Sequence, residues 1–146
     1  MEKEKHMKQY KNIFRFTFAI IFLVGAIANA VILILNPDVY SGFAELSFIR
    51  LYRLLWEQLV FPSIHLFVVL TVVLELTFVF LLLAKDTAVH IGLLLAAAFM
   101  LFLFPFWWSG GSLLNLAFAL ILLWLSTSSY PISVKELLNS WRKPTM

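Results

Sequence analysis

The sequence predicts an all-α polytopic membrane protein, a four-helix transmembrane bundle with an extra amphipathic interfacial helix between the first two spans. Of its 146 residues, 62% are hydrophobic and only 13% are charged, whereas soluble domains are about half apolar and about a quarter charged. The apolar residues form four long runs, and the charged residues gather at the chain ends and in two connections. A helix of about 20 apolar residues crosses the hydrocarbon core of a bilayer. Each run is therefore interpreted as one span.

The chain divides into a polar N-terminal tail at 1–12, a transmembrane domain at 13–130 and an amphipathic C-terminal tail at 131–146. The four predicted spans are 13–35, 63–84, 88–107 and 112–130. Gly92 and the alanine run that follows it predict a close approach of a neighbouring helix to the third span. In the C-terminal tail, Ser133 and Glu136 have the spacing of a helix capping box.

The amphipathic helix is predicted over residues 43–60, where Arg50, Arg53 and Glu57 share one helical face and apolar residues fill the rest. Such a helix lies in the membrane interface, or it folds over the mouth of the bundle as a lid. Arg53 and Glu57 are spaced for an ion pair. The two guanidinium groups suit an anionic headgroup, and the alternative is a solvated polar face.

Basic residues predict the orientation of the chain in the membrane. Nine of the eleven lie at the chain ends or in the turn after the second span, and only Arg50 and Arg53 lie on the opposite side. The positive-inside rule then places both termini in the cytoplasm. An even number of spans agrees with that placement.

Glu75, near the middle of the second span, is the most informative polar residue. An intramembrane carboxylate is costly and is a functional candidate by default. At a rise of 1.5 Å per residue, Glu75 and Asn115 lie at similar depths in the membrane, so that a hydrogen bond between them is possible. Thr71 lies one turn from Glu75 on the same face of the second span. Asn29 either faces a cavity under the amphipathic helix or frays into the interface. We take these four residues as candidate ligand contacts; the alternatives for Glu75 are a neutral packing residue that sets helix register and a contact with a partner subunit.

Several functional classes find no support in the sequence. Without cysteine the chain has no disulfide or thiolate, and its histidines lie too far apart for a metal site. No P-loop, HExxH, GxSxG or dinucleotide motif indicates catalysis, so we lean against an enzyme. The basic residues form no aromatic-interleaved patch, which argues against nucleic-acid binding.

Short motifs along the chain resemble the DoxX-like family of small four-helix integral membrane proteins. The matching residues are Arg15, Gly25, the helix exit Asn36-Pro37-Asp38-Val39-Tyr40, Glu75 with its aliphatic run to Ala84, and Phe104-Pro105. The resemblance implies a four-helix bundle in the plasma membrane, and some relatives are subunits of quinone-linked oxidoreductases. The chain departs from the family at Asn29, near which many relatives have a histidine, and in the long connection before Pro62.

The leading functional hypothesis is a non-catalytic subunit or accessory protein of a quinone-linked membrane redox system. The competing hypothesis is a binder or transporter of a small hydrophobic molecule or lipid, with a polar pocket near Glu75. A third is a purely structural interaction protein. No cofactor is expected other than quinone, and the expected partners are the lipid bilayer, a redox partner subunit, a hydrophobic small molecule or a second copy of the chain.

Overall fold

The computed structural model describes residues 2–106 and 111–136, with side chains from residue 9 onward. The described residues are helices joined by short turns and include no strand, which confirms the all-α class. The α-helices bounded within the described part of the chain are α1 (Glu2–Leu35), α2 (Arg50–Leu55), α3 (Ile64–Leu83), α4 (Thr87–Leu103) and α5 (Gly111–Ser126). The end of the third predicted span and the turn after it fall at 107–110, and these residues lie outside the described part.

Proline and a short polar turn set two of the helix boundaries. α1 ends at Leu35 because Pro37 disfavours helical geometry in the residue before it. The chain continues as a 3-10 helix, Pro37–Phe43. α3 and α4 are separated by a polar turn in which Asp86 has a positive φ of 51° and donates its backbone N–H to the backbone oxygen of Tyr130 at 2.8 Å.

Aromatic and small residues bring the helices together. α1 packs mainly on α3, α3 on α4, and α4 on α5, with fewer contacts between α1 and α5. The rings of Phe22 and Phe78 meet edge-on at 5.1 Å between α1 and α3. A Cβ on Gly92 would lie only 2.6 Å from the Cβ of Leu81. The predicted role of Gly92 in close helix approach is therefore confirmed.

The connection between α1 and α3 differs from the predicted separate amphipathic helix at 43–60. Helix begins only at Arg50 and continues through a π-helical turn, Trp56–Val60, and a 3-10 turn, Phe61–Ser63, directly into α3. We call Arg50–Ser63 the arm. Pro62 does not end the helical segment, and it falls in the 3-10 turn that directly follows the π-helical turn Trp56–Val60.

The arm presents a half-buried face to the rest of the molecule through Tyr52, Trp56 and Val60, which follow one another at four-residue spacing. The rings of Tyr52 and Trp56 both lie 5.3 Å from the ring of Phe106, past the end of α4. Arg50, Arg53 and Glu57 are exposed on this segment, and its predicted separation from the second span is wrong.

The capping box of the C-terminal tail is confirmed. The backbone N–H of Ser133 donates to Oε2 of Glu136 at 2.7 Å, and the backbone N–H of Glu136 donates to Oγ of Ser133 at 3.3 Å. The backbone N–H of Ser133 and its side-chain hydroxyl, which donates to Oε2 of Glu136 at 2.9 Å, hold the pKa of the Glu136 carboxyl below its ordinary value, and the backbone bond has the larger effect. The rest of the predicted tail helix, from residue 137, lies outside the described residues.

Within the described residues, two helical segments are long and apolar enough to cross a membrane by length and composition, Gln9–Leu35 and Arg50–Leu83. The second joins the arm and α3. α4 and α5 are also apolar but shorter, at 17 and 16 residues.

Candidate functional site

A cavity of about 590 Å³ lies between α1, the arm, α3, α4 and α5. Its eighteen lining residues are Asn29, Tyr40, Phe43, Leu51, Tyr52, Leu55, Trp56, Val60, Ile64, Phe67, Val68, Thr71, Glu75, Phe99, Phe102, Leu103, Phe106 and Asn115. All four candidate ligand contacts from the sequence, Glu75, Asn115, Thr71 and Asn29, are among them. That they bind a ligand stays a prediction.

Glu75 is 6% exposed and forms the polar end of a short hydrogen-bonded chain. Nδ2 of Asn29 donates to Oε2 of Glu75 at 3.0 Å, and the hydroxyl of Tyr40 donates to Oδ1 of Asn29 at 3.0 Å. The second carboxylate oxygen, Oε1, lies beside Gly25 and receives no hydrogen bond from the described residues. One oxygen of Glu75 is thus fixed, and the other remains available to a ligand.

The antiparallel packing of α1 on α3 explains why Glu75 meets Asn29 and not Asn115. Side chains on a helix lean toward its N-terminus, so Asn29 and Glu75, on antiparallel helices, lean toward each other. The close approach needs Gly25, one turn before Asn29, because a Cβ there would lie 2.7 Å from Oε1 of Glu75. The predicted hydrogen bond between Asn115 and Glu75 is therefore not formed. The prediction compared only the depths of the two residues in the membrane, and depth shows neither which helices pack together nor in which direction their side chains lean.

Asn115 and Thr71 line the cavity, and each donates a hydrogen bond to the backbone. Nδ2 of Asn115 donates to the backbone oxygen of Leu103 at 3.3 Å, across the α4–α5 contact. The hydroxyl of Thr71 donates to the backbone oxygen of Phe67, one turn back on α3, at 3.0 Å. These two residues shape the wall, and neither contacts Glu75 through a hydrogen bond.

Tyr40 and Trp56 belong to the site but were not among the candidates. The 3-10 helix after α1 turns Tyr40 back under Asn29, and Nε1 of Trp56 donates to the backbone oxygen of Tyr40 at 2.9 Å. Burial, and then the nearby carboxylate of Glu75, raise the pKa of the Tyr40 hydroxyl above its ordinary value. That hydroxyl therefore remains a proton donor at neutral pH. The only sequence signal for Tyr40 was its place in the exit motif after Pro37.

The charged residues of the arm, Arg50, Arg53 and Glu57, do not line the cavity, although other residues of the arm do. Nε of Arg53 donates to the backbone oxygen of Ser47 at 2.6 Å, and the described residues show no ion pair between Arg53 and Glu57. A backbone oxygen in the preceding turn is the better partner, because an exposed ion pair is worth little. Contact with a headgroup stays a prediction, and the arm itself forms one wall of the cavity.

Two cations near the start of α1 are buried, which positive-inside reasoning did not anticipate. Arg15 is 0% exposed, its guanidinium lies 4.8 Å from the centre of the Tyr130 ring, and its Nη2 donates to the backbone oxygen of Ile132. Nζ of Lys11 donates to the backbone oxygen of Trp124 at 3.2 Å. These contacts join α1 to the last turn of α5 and to the segment that follows it, and neither cation lines the cavity.

A comparison with protein-family models gave no match, and comparisons with curated proteins and with solved structures gave none either. The resemblance to the DoxX-like family therefore rests on its short motifs and stays a prediction.

Proposed function

We propose that this chain is a multi-pass membrane protein that binds a small hydrophobic molecule in the cavity, with a polar group of that molecule placed against Glu75. The observation behind the proposal is the cavity itself, an apolar space of about 590 Å³ with one carboxylate in its wall. Ligand pockets are typically ~300–1,000 Å³, mostly apolar, and contain a few placed polar groups.

Membrane insertion as a four-helix bundle is part of the proposal. Two segments have the length to span, and the outer faces of the helices expose large apolar side chains such as Phe80 (72% exposed), Leu113 (67%) and Leu66 (59%). Large exposed apolar surfaces mark membrane or partner contacts. α4 and α5 are each roughly 25 Å long, and local thinning of the bilayer or flanking residues accommodate a mismatch of this size. We propose that both termini lie in the cytoplasm and that the protein resides in the plasma membrane.

Native mass spectrometry of the protein released from its membranes in mild detergent tests the proposal. Wild type is compared with Glu75→Gln and with Thr77→Val, a control on the exposed face of the same helix. We expect wild type and Thr77→Val to retain a small molecule that Glu75→Gln loses. A bare protein mass in wild type, or retention that is equal in all three, counts against a ligand at Glu75.

The same experiment also tests the hypothesis that the chain is an accessory protein of a redox system. It requires a second polypeptide to co-purify, or the retained mass to be that of a quinone. A single chain that retains a molecule of another class leaves the binding proposal in place and removes the redox one.

A further inference from the structure

We propose that the molecule bound in this cavity is a hydrophobic organic cation, an ammonium group attached to an apolar body, paired with the carboxylate of Glu75. The inference rests on the proposed function and names its ligand class. Charge, hydrogen-bonding capacity and aromatic content of the cavity each point to it.

The charge balance of the cavity is the first argument. Among its eighteen lining residues, Glu75 is the only one with a charged side chain. Its partners are the neutral amide of Asn29 and, beyond it, the phenol of Tyr40. Buried charges in proteins are normally paired, and a carboxylate in the membrane interior usually faces a cation or a proton pathway. The described lining supplies no cation, so a ligand cation completes the pair.

The hydrogen-bonding groups of the wall give the second argument. The hydroxyls of Tyr40 and Thr71 and the indole N–H of Trp56 each already donate to an oxygen of the protein. Oε1 of Glu75, in contrast, is an acceptor with no donor from the described residues. The second amide N–H of Asn29 and that of Asn115 remain as donors in this wall, and none of the described donors in the wall bonds Oε1, its one unpaired charged acceptor. This arrangement suits a ligand that donates hydrogen bonds or is positively charged better than an anion or a carbonyl compound.

The aromatic content of the wall is the third argument. Eight of the eighteen lining residues are Phe, Tyr or Trp. Aromatic faces attract ammonium groups, and the attraction is stronger where the pair is removed from water. Because the polar atoms of Tyr40 and Trp56 are engaged with the protein, these two residues offer a ligand chiefly their rings. An apolar body fits the aliphatic part of the wall, which the arm and α3 supply.

A pair of matched probes tests the inference on the purified full chain in mild detergent. The first is (4-phenylbutyl)trimethylammonium, and the second is its neutral isostere, in which a carbon atom replaces the quaternary nitrogen. Isothermal titration calorimetry gives the affinity of each for wild type, Glu75→Gln and the control Thr77→Val, with empty micelles as the blank. We expect wild type and Thr77→Val to bind the cation at least tenfold more tightly than the isostere, and Glu75→Gln to lose that preference.

The outcomes separate this inference from the function on which it rests. Equal binding of both probes by wild type leaves the cavity a binding site and overturns the cation assignment. A cation preference that survives in Glu75→Gln overturns the pairing with Glu75. Binding of neither probe above the micelle blank contradicts the inference and counts against the proposed function as well.

A second variant protects the test against a misfolded Glu75→Gln. Phe67 lines the cavity from α3 and is half-buried, so Phe67→Leu removes one aromatic face while it keeps an apolar side chain. We expect this variant to weaken binding of the cation about 2- to 5-fold, the size of one exposed cation–π contact, with a smaller change for the isostere. An equal loss for both probes would show that Phe67 provides apolar contact only, and it would remove the aromatic part of the argument.

Discussion

Replacing Gly25 with alanine should disturb the site while leaving the fold intact. The new Cβ would lie 2.7 Å from Oε1 of Glu75, whereas ordinary contact begins near 3.4 Å. The atom in the way is the end of a flexible side chain, so the carboxylate can retreat. Alanine is also the better helix former, by about 0.8–1.0 kcal/mol. The free energy of unfolding of Gly25→Ala should therefore stay within about 1 kcal/mol of wild type.

Moving the Glu75 carboxylate away from the new Cβ weakens its hydrogen bond with Asn29. Gly25 and Asn29 lie one turn apart on the same face of α1, so a carboxylate that moves away from one also moves away from the other. A shift of about 0.7 Å, the difference between 2.7 and 3.4 Å, would lengthen the 3.0 Å bond to Asn29 beyond hydrogen-bonding range. The displaced carboxylate also loses its alignment with the ligand, and a ligand contact weakened by about 0.5–1.5 kcal/mol corresponds to roughly 2- to 12-fold weaker binding.

Titration of the phenylbutyl ammonium probe measures the affinity, and denaturant unfolding in the same detergent measures stability. Gly42→Ala is the matched control, because a Cβ at Gly42 meets nothing within 4 Å. Gly42→Ala should bind as wild type does. Unchanged affinity in Gly25→Ala would refute the close approach of Gly25 to Glu75 as a feature of the working site.

Three further predictions concern packing, topology and pH. Gly92→Ala places a Cβ 2.6 Å from the Cβ of Leu81 and near the backbone of Leu81. Overpacking of this kind costs about 1–3 kcal/mol, so the unfolding midpoint should fall. A midpoint at or above that of wild type would contradict the α3–α4 contact. Because the chain has no cysteine, Gly42→Cys should react with a membrane-impermeant maleimide in intact cells and Ser129→Cys only after permeabilisation, and the reverse pattern would invert the topology. The lowered pKa of Glu136 means that its cap stabilises the folded chain above the ordinary value of 4.5 and loses this contribution as the pH falls through the folded-state pKa. The protection factors for amide exchange at the cap should then fall in acid in wild type but not in Glu136→Gln, and the same acid response in both would refute the ionised cap.

The helices were predictable because long apolar runs and prolines are local signals. Helix α1 ends at the residue that the Asn36-Pro37 step predicts, and the glycine at position 92 marks a real close approach. The arm was harder to predict. A proline usually signals a break, and only the three-dimensional structure shows Pro62 absorbed into a 3-10 turn that joins the arm to α3.

The candidate site was predictable in its members but not in its pairing. Polar residues in apolar runs are rare, so Glu75, Asn29, Thr71 and Asn115 were conspicuous in the sequence, and all four line one cavity. The contacts among these four residues depend on which helices are neighbours and on the direction in which side chains lean along antiparallel helices. The depth of a residue in the membrane gives neither piece of information. Tyr40 was missed because a tyrosine in a loop has no local mark that distinguishes it from an interfacial aromatic residue.

The central claim, a ligand cavity beside Glu75, is tested most directly by protection of single cysteines in native membranes. Thr71 lines the cavity and Thr77, six residues along the same helix, is exposed on its outer face. The account predicts that either phenylbutyl probe slows the reaction of Thr71→Cys with N-ethylmaleimide and leaves the rate for Thr77→Cys unchanged. Equal rates for Thr71→Cys with and without both probes would contradict it.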